Sequence, residues 1–310
     1  MTMTGTIRKP SRQLSGFERS RVRTGLLFLI PSAILCIVFM VVPLINVVYY
    51  SFSEMSSVGS TPVYVGLQNY VEIPTTEGFW QMAWATLIFA FGSTALIVVL
   101  SFIVAMALDS KYRGRISRNV FRAMWFFPCI LSGSVVGILW RIMYTYSNGV
   151  INSVLKSVGL TPVNWLETYG LTNFAVIIAS VWSQMGLCIV IFLAGLQGIP
   201  AELHEAAAID GANSAQVRAH IILPMMAPSI TINVLTTSIA AFKMYELPWI
   251  ISKGLPGYST RLLTQRIHFF GFESTGKMGL GSALSVLLIL IITIISLIQL
   301  VFLRKREDIY

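Results

Sequence analysis

Glu202 to Pro228 reads ELHEAAAIDGANSAQVRAHIILPMMAP, a polar island between two long apolar segments. It reads as two short helices joined by a tight corner. Pro200 suits the first helical position, where its missing N–H costs nothing. Glu202 and Glu205 fall in the first turns, where carboxylates favour the helix dipole. Ala206, Ala207 and Ala208 are strong helix formers of minimal bulk. Gly211 is suited to the left-handed conformation that ends such a helix. Asn213 restarts helix as an N-cap, with Gln216 three residues on as its capping-box partner. Pro224 and Pro228 end the second helix, because the residue before a proline is pushed out of the helical region. An elbow faced with side chains this small is a socket for a protruding partner.

What surrounds the elbow has membrane composition. Of 310 residues 55% are hydrophobic and only 11% charged, whereas soluble domains average about 25% charged. The net charge of +9, from 22 basic against 13 acidic residues, is in such a chain a topology signal and excludes a nucleic-acid partner. Cys36, Cys129 and Cys188 all lie in apolar runs, odd in number and without metal spacing, and read as small buried hydrophobes.

About 20 apolar residues cross a bilayer, and six such stretches follow one another. After a basic tail over residues 1–23, the first runs from Thr24 to about Phe52; the others fall near 80–108, 119–143, 172–196, 229–251 and 280–303. The first is too long for a signal-peptide core and has no small-residue cleavage site, so it reads as a retained span. Lys111, Arg113, Arg115, Arg118 and Arg122 in the second connection, and Arg304, Lys305 and Arg306 in the C-terminal tail 304–310, place both termini and the even connections in the cytoplasm. The elbow, within a connection spanning 197–228, is then cytoplasmic too. Lys253, Arg261, Arg266 and Lys277 break the rule in the fifth, outer connection. Phe79, Trp80, Trp84, Tyr144, Tyr146, Trp165 and Trp249 mark the interfacial belt. Gly133 and Gly137 form a G-x-x-x-G pair suited to close helix packing.

Two apparent motifs fail on chemistry. Gly271 to Lys277 imitates a phosphate-binding loop, but Met278 stands where a magnesium-ligating Ser or Thr is required, and no strand is expected before it. His204, His220 and His268 are too scattered for a metal site.

Polar groups inside a span usually face a bundle interior or a watery cavity. Ser180, Ser183, Gln184 and Leu187 share one face of the fourth span, and Asn233, Thr237 and Ala241 a face of the fifth. Interhelical hydrogen bonding and a substrate path account equally well for these two faces. Lys243 and Glu246, three apart, read first as a mutual ion pair and second as a contact to a charged ligand or docking partner.

Glu205-Ala206-Ala207, Asp210-Gly211-Ala212, Leu223-Pro224 and Pro228 together resemble the coupling loop of ABC importer permeases of the sugar-importing branch, the maltose and glycerol-3-phosphate type. Further stretches of likeness are Asn148-Gly149 with Ile151-Asn152, Asn164-Trp165-Leu166 and Leu196-Gln197 with Ile199-Pro200. Arg218 stands where that family usually has an aromatic residue, and His204 where it has tyrosine. The resemblance implies an all-α membrane protein with six transmembrane helices in the type I importer fold, occupying 24–303. It implies coupling to an ATPase through Glu205, Ala206, Ala207, Asp210, Gly211, Ala212, Arg218, Leu223 and Pro224. It also implies a path past Ser180, Ser183, Gln184, Leu187, Thr237 and Ala241, with Asn233 a turn away and Cys129 and Gly133 nearby.

The implied partners are a second permease subunit, two ABC ATPase subunits, an extracytoplasmic solute-binding protein and membrane lipid, with no cofactor in this chain. Mid-membrane hydroxyls and amides without clustered charge suit a neutral sugar or oligosaccharide. An anionic solute is the alternative, given Lys243. A stand-alone ion-coupled transporter would need buried carboxylates, and no acidic residue lies near the centre of any span.

Overall fold

The computed structural model describes residues 16–55, 59–109 and 115–307. Most of the basic N-terminal tail, Lys111 and Arg113 of the second connection, and residues 308–310 lie outside the described residues. Contacts divide the chain into two units, Met1–Tyr49 and Tyr50–Tyr310.

The first unit is an apolar helix: α1 (Gly16–Cys36) passes through a π turn (Ile37–Val41) into α2 (Val42–Ser51). Val42 donates its N–H to Ile37 O, five residues back, immediately before Pro43. Residues 23–46 are all exposed. Cys36 is therefore exposed, against the expectation of burial, since an apolar helix of this length meets lipid or partner chains.

In the second unit a short segment ahead of the long helices comes first. β1 (Ser53–Glu54) pairs antiparallel with β2 (Val63–Tyr64), a two-residue ribbon that the all-α expectation lacked. α3 (Gln68–Glu72) follows, and the Asn69 amide donates to both Ser51 O and Ser53 O at 3.0 Å, which pins the ribbon. α4 (Phe79–Asp109) and α8 (Leu171–Gln197) are the central packed pair. Ser93, Ile97, Ser101, Ala105 and Leu108 recur every three or four residues along α4 and are all buried. Lipid supplies no hydrophobic drive between helices, so small side chains that allow close approach decide where two spans meet. Here the Ser101 hydroxyl reaches Met185 O on α8 at 3.2 Å, and Phe102 meets Phe192 edge to face.

Two expected spans are broken. α5 (Arg115–Ile130) and α6 (Gly133–Met143) replace a straight helix over 119–143, and the pair is bent by 107°. Ser132 is extended, and its hydroxyl caps α6 by accepting from Val135 N–H at 3.3 Å, so the helix restarts in a new direction. Likewise 229–251 is two helices, α12 (Ala227–Phe242) and α13 (Glu246–Ser252). The 16 residues of α12 rise only about 24 Å, short of a hydrocarbon core of about 30 Å. α13 packs on α6, where the G-x-x-x-G pair is used: a side chain on Gly133 would meet Glu246 and one on Gly137 would meet Ile250.

The connection between α6 and α8 contains α7 (Val150–Ser157) and is organised by one buried side chain. Asn152 donates to Tyr146 O and Val163 O, and its oxygen accepts from Val163 N–H and the Trp165 indole. α14 (Leu263–His268) and α15 (Met278–Glu307) complete the chain. The cations that broke the charge rule here have structural surroundings. Arg266 lies 4.3 Å over the Phe270 ring, both Arg266 and Arg261 flank Tyr258, and burial lowers the Arg266 guanidinium from its ordinary value.

Among the described residues four helices are long and apolar enough to cross a membrane, and two bent pairs pass the same test together.

Candidate functional site: the helical elbow

The elbow consists of α9 (Ala201–Ile209), a corner at 210–212, and α10 (Ser214–Val217), which continues through a π turn (Arg218–Ile222) into α11 (Leu223–Met225). Pro200 stands outside α9 as its N-cap, at φ −57° and ψ 136°, one residue earlier than expected: the ring fixes φ but leaves ψ free to turn the chain. At the other end Gly211 has φ +73°, the left-handed value expected of it. Ala212 N–H reaches Ala207 O at 2.9 Å and Gly211 N–H reaches Ala208 O at 3.2 Å, the pair of bonds that satisfies the last carbonyls of a helix. Asn213 Oδ1 accepts from Ala215 and Gln216 N–H, while Gln216 Oε1 accepts from Asn213 N–H, so the capping box is complete.

Pro224 does not end the second helix. Ahead of it the π turn lets Leu223 donate to Arg218 O, five residues back. The wider turn gives the proline ring room beside the carbonyl four residues before it, as it also does before Pro43. The bend comes two residues later: the helix over Ser214–Met225 meets α12 at 62°. The elbow's second helix is thus joined to a membrane-embedded helix by a single corner at Met226, which is fully buried.

Every residue of α9 except Ala207 is exposed, including Glu202, Glu205, Leu203 and Ile209. Between α9 and the second helix lies an open notch of about 490 Å³, lined by Ala206, Ala207, Asp210, Gly211 and Ala212 on one side. Gln216, Val217, His220 and Ile221 form the other wall, with Leu203 at the end of the first. Leu203 and this second wall were not singled out from sequence. Their spacing of one, four and five residues, one helical face, was the available signal. Arg218 and Leu223 lie elsewhere: with Ala215, Ala219 and Ile222 they line a separate groove against the end of α4. Arg218 therefore does not share the notch with Asp210 and Gly211, and Glu205, exposed on α9, does not line it either.

The expected path residues are only partly brought together. Ser180 is fully buried and accepts from the Gln184 amide at 2.7 Å, while Ser183 and Gln184 are half-buried and Leu187 is exposed. Asn233, Thr237 and Ala241 do not face an opening. All three are buried, Asn233 donating to Cys188 O and Thr237 lying 3.4 Å from the Cys188 thiol. In this conformation that face of α12 is interhelical packing against α8. Gly186 missed notice: a side chain there would collide with Trp125 O and Cys129 of α5, so α5 backbone lies directly on α8. Lys243 and Glu246 do not pair. Glu246 instead accepts from the Ser134 hydroxyl at 3.3 Å, because the chain turns at 243–245 and breaks the helical spacing. Gly271 to Lys277 begins inside the π turn (Phe269–Glu273) that continues α14, not after the strand that a phosphate loop requires.

The model of the family described as binding-protein-dependent transport system inner membrane component matches residues 97–308. The chain belongs to this family. As an inner membrane component of such systems, of the ABC importer permease type, it is a multi-pass transport subunit and not itself the enzyme that drives transport. It is 31% identical over 274 residues, 88% of this chain and 91% of the relative, to the trehalose/maltose transport system permease protein MalF of Thermococcus litoralis. It is 33% identical over 264 residues, 84% of this chain and 82% of the relative, to the arabinooligosaccharides transport system permease protein AraP of Bacillus subtilis. Among solved structures, a chain of a bacterial ABC transporter involved in the import of the acidic polysaccharide alginate superposes with a TM-score of 0.81. That match covers 94% of this chain and 99% of the other at 19% identity, so it establishes the fold of this permease and nothing about its solute.

Proposed function

We propose that this permease is one of two membrane subunits of an importer that carries a neutral sugar or oligosaccharide into the cytoplasm. Two ABC ATPase subunits drive it, and an extracytoplasmic binding protein delivers the solute. Six spans over 24–303, with α5–α6 and α12–α13 each counted as one, leave the tails at 1–23 and 304–310 and the elbow at 197–228 in the cytoplasm.

The observation that carries the reading is the elbow itself. An exposed helix, α9, bears a notch walled by Ala206, Gly211 and Ala212, and the notch's other wall runs through one 62° corner into α12. A partner that seats differently in the notch with and without ATP shifts the balance between two orientations of α12, since only differential contact moves such an equilibrium. Asp210 in the notch and Glu205, exposed on the same helical segment, are suited to a basic partner surface. Along α8, Ser183, Gln184 and Leu187 keep exposed surface and are the residues proposed to meet solute. Relatives named for trehalose, maltose and arabino-oligosaccharides support a carbohydrate.

The test is uptake by the reconstituted transporter. Labelled maltose, trehalose, arabino-oligosaccharides and a charged uronate oligosaccharide are offered with the cognate binding protein, with and without ATP. ATP-dependent accumulation of one of them, lost on Gly211→Val, is the expected result. Accumulation that proceeds without the ATPase subunits overturns the coupling assignment, and uptake confined to charged solutes overturns the neutral sugar.

A further inference from the structure

The groove on the other side of the elbow's second helix has a different chemistry from the notch. It encloses about 730 Å³ and opens to the surface. One wall is the last two turns of α4, with Phe102, Ile103 and Met106; the other carries Ile222 and Leu223. Ile103 is 57% exposed and Leu223 48%. The α4 wall belongs to a helix long and apolar enough to cross a membrane. At its edge stands Arg218, exposed, on the same helical face as Ala215 and Ile222. Among the described residues Arg218 has neither an ion pair nor a side-chain hydrogen bond.

A ligand that fits must be apolar over most of its length and anionic at one end. From this juxtaposition we infer that the groove between α4 and the elbow holds an anionic phospholipid, with acyl chain against Phe102, Ile103, Met106 and Ile222 and headgroup phosphate on Arg218. Basic pockets beside spans at the cytoplasmic surface are suited to anionic headgroups, and guanidinium geometry matches phosphate. An acidic side chain of an ATPase would satisfy Arg218 but leave the apolar walls uncovered, which is why lipid is favoured over a protein partner.

The experiment uses the assembled transporter in nanodiscs of phosphatidylcholine containing one fifth phosphatidylglycerol, with bound lipid counted by mass spectrometry after stepwise delipidation. Retained phosphatidylglycerol should fall about fivefold in Arg218→Gln, the factor expected of one basic residue at an anionic surface, and persist in Arg218→Lys. Ala219→Trp, which keeps the charge but fills the groove, should also release it. Equal retention in wild type and Arg218→Gln overturns the proposal. So does restoration of Arg218→Glu transport by a single acid-to-lysine change in the ATPase, which assigns Arg218 to protein. Melting of each variant in pure phosphatidylcholine separates loss of lipid from loss of fold.

Discussion

The Thr237 hydroxyl of α12 lies 3.4 Å from the Cys188 thiol of α8, with both residues buried. The contact ties the helix that leaves the elbow to the helix that enters it. Interhelical hydrogen bonds of this kind contribute about 0.6 kcal/mol on average, so close packing outweighs the bond itself.

Thr237→Trp therefore acts on assembly. An indole in a filled helix interface costs about 1–3 kcal/mol. We expect a lower melting temperature and lower yield in membranes, with transport falling in proportion to folded protein. Normal yield with blocked transport would instead restore Thr237 to an open path.

Gln184→Ala should behave in the opposite way. Gln184 is half-buried on a face with open surface, where its carboxamide is placed to pair with a solute hydroxyl, and the loss of one such neutral hydrogen bond is about 0.5–1.5 kcal/mol. Transport efficiency should drop by a few-fold to about tenfold, with at most a small fall in melting from the lost bond to Ser180. Unchanged transport would remove this residue from the path.

At the corner of the elbow the backbone decides. Gly211 at φ +73° forces any β-branched residue into a disfavoured region, at a cost of about 1–3 kcal/mol borne locally. Gly211→Val should insert normally yet lose transport, and Glu205→Lys should do the same by reversing a charge beside the notch. Membrane level and uptake measured together check both variants, and full uptake by either counts against the coupling role.

In the connection between α6 and α8, Asn152→Ala should destabilise without touching the elbow. It strands the half-buried Trp165 indole N–H and Val163 amide, each of which loses a hydrogen bond of about 0.5–1.5 kcal/mol. Melting of the purified complex should fall by several degrees; no fall would mean that water replaces the carboxamide.

Orientation is open to labelling in intact cells. Cysteine at Val158, which is 65% exposed, should react with an impermeant maleimide, and cysteine at Ala208 should react only after the cells are opened. Reaction at 208 from outside would place the elbow on the wrong side for any ATPase.

Features built from near neighbours along the chain are legible in the amino-acid sequence itself. Apolar length marks the spans, and the left-handed turn at Gly211 and the Asn213–Gln216 box follow from bonds only three to five residues long. These interactions are local, so the residues present determine them wherever the segment sits. Tertiary structure decided what depends on distant residues. Asn233 and Thr237 are spaced as a path would be, yet whether such a face meets solute or another helix rests on Cys188, 49 residues from Thr237. The breaks at 131–132 and 243–245 bring Gly133 against Glu246, a pairing no local spacing encodes. Pro224 stays helical because a π turn precedes it, and Arg218 looks toward α4 rather than the notch because that turn and its neighbours fix which face meets which span. Side-chain direction is a property of the packed helix, and packing is settled between segments, not within them.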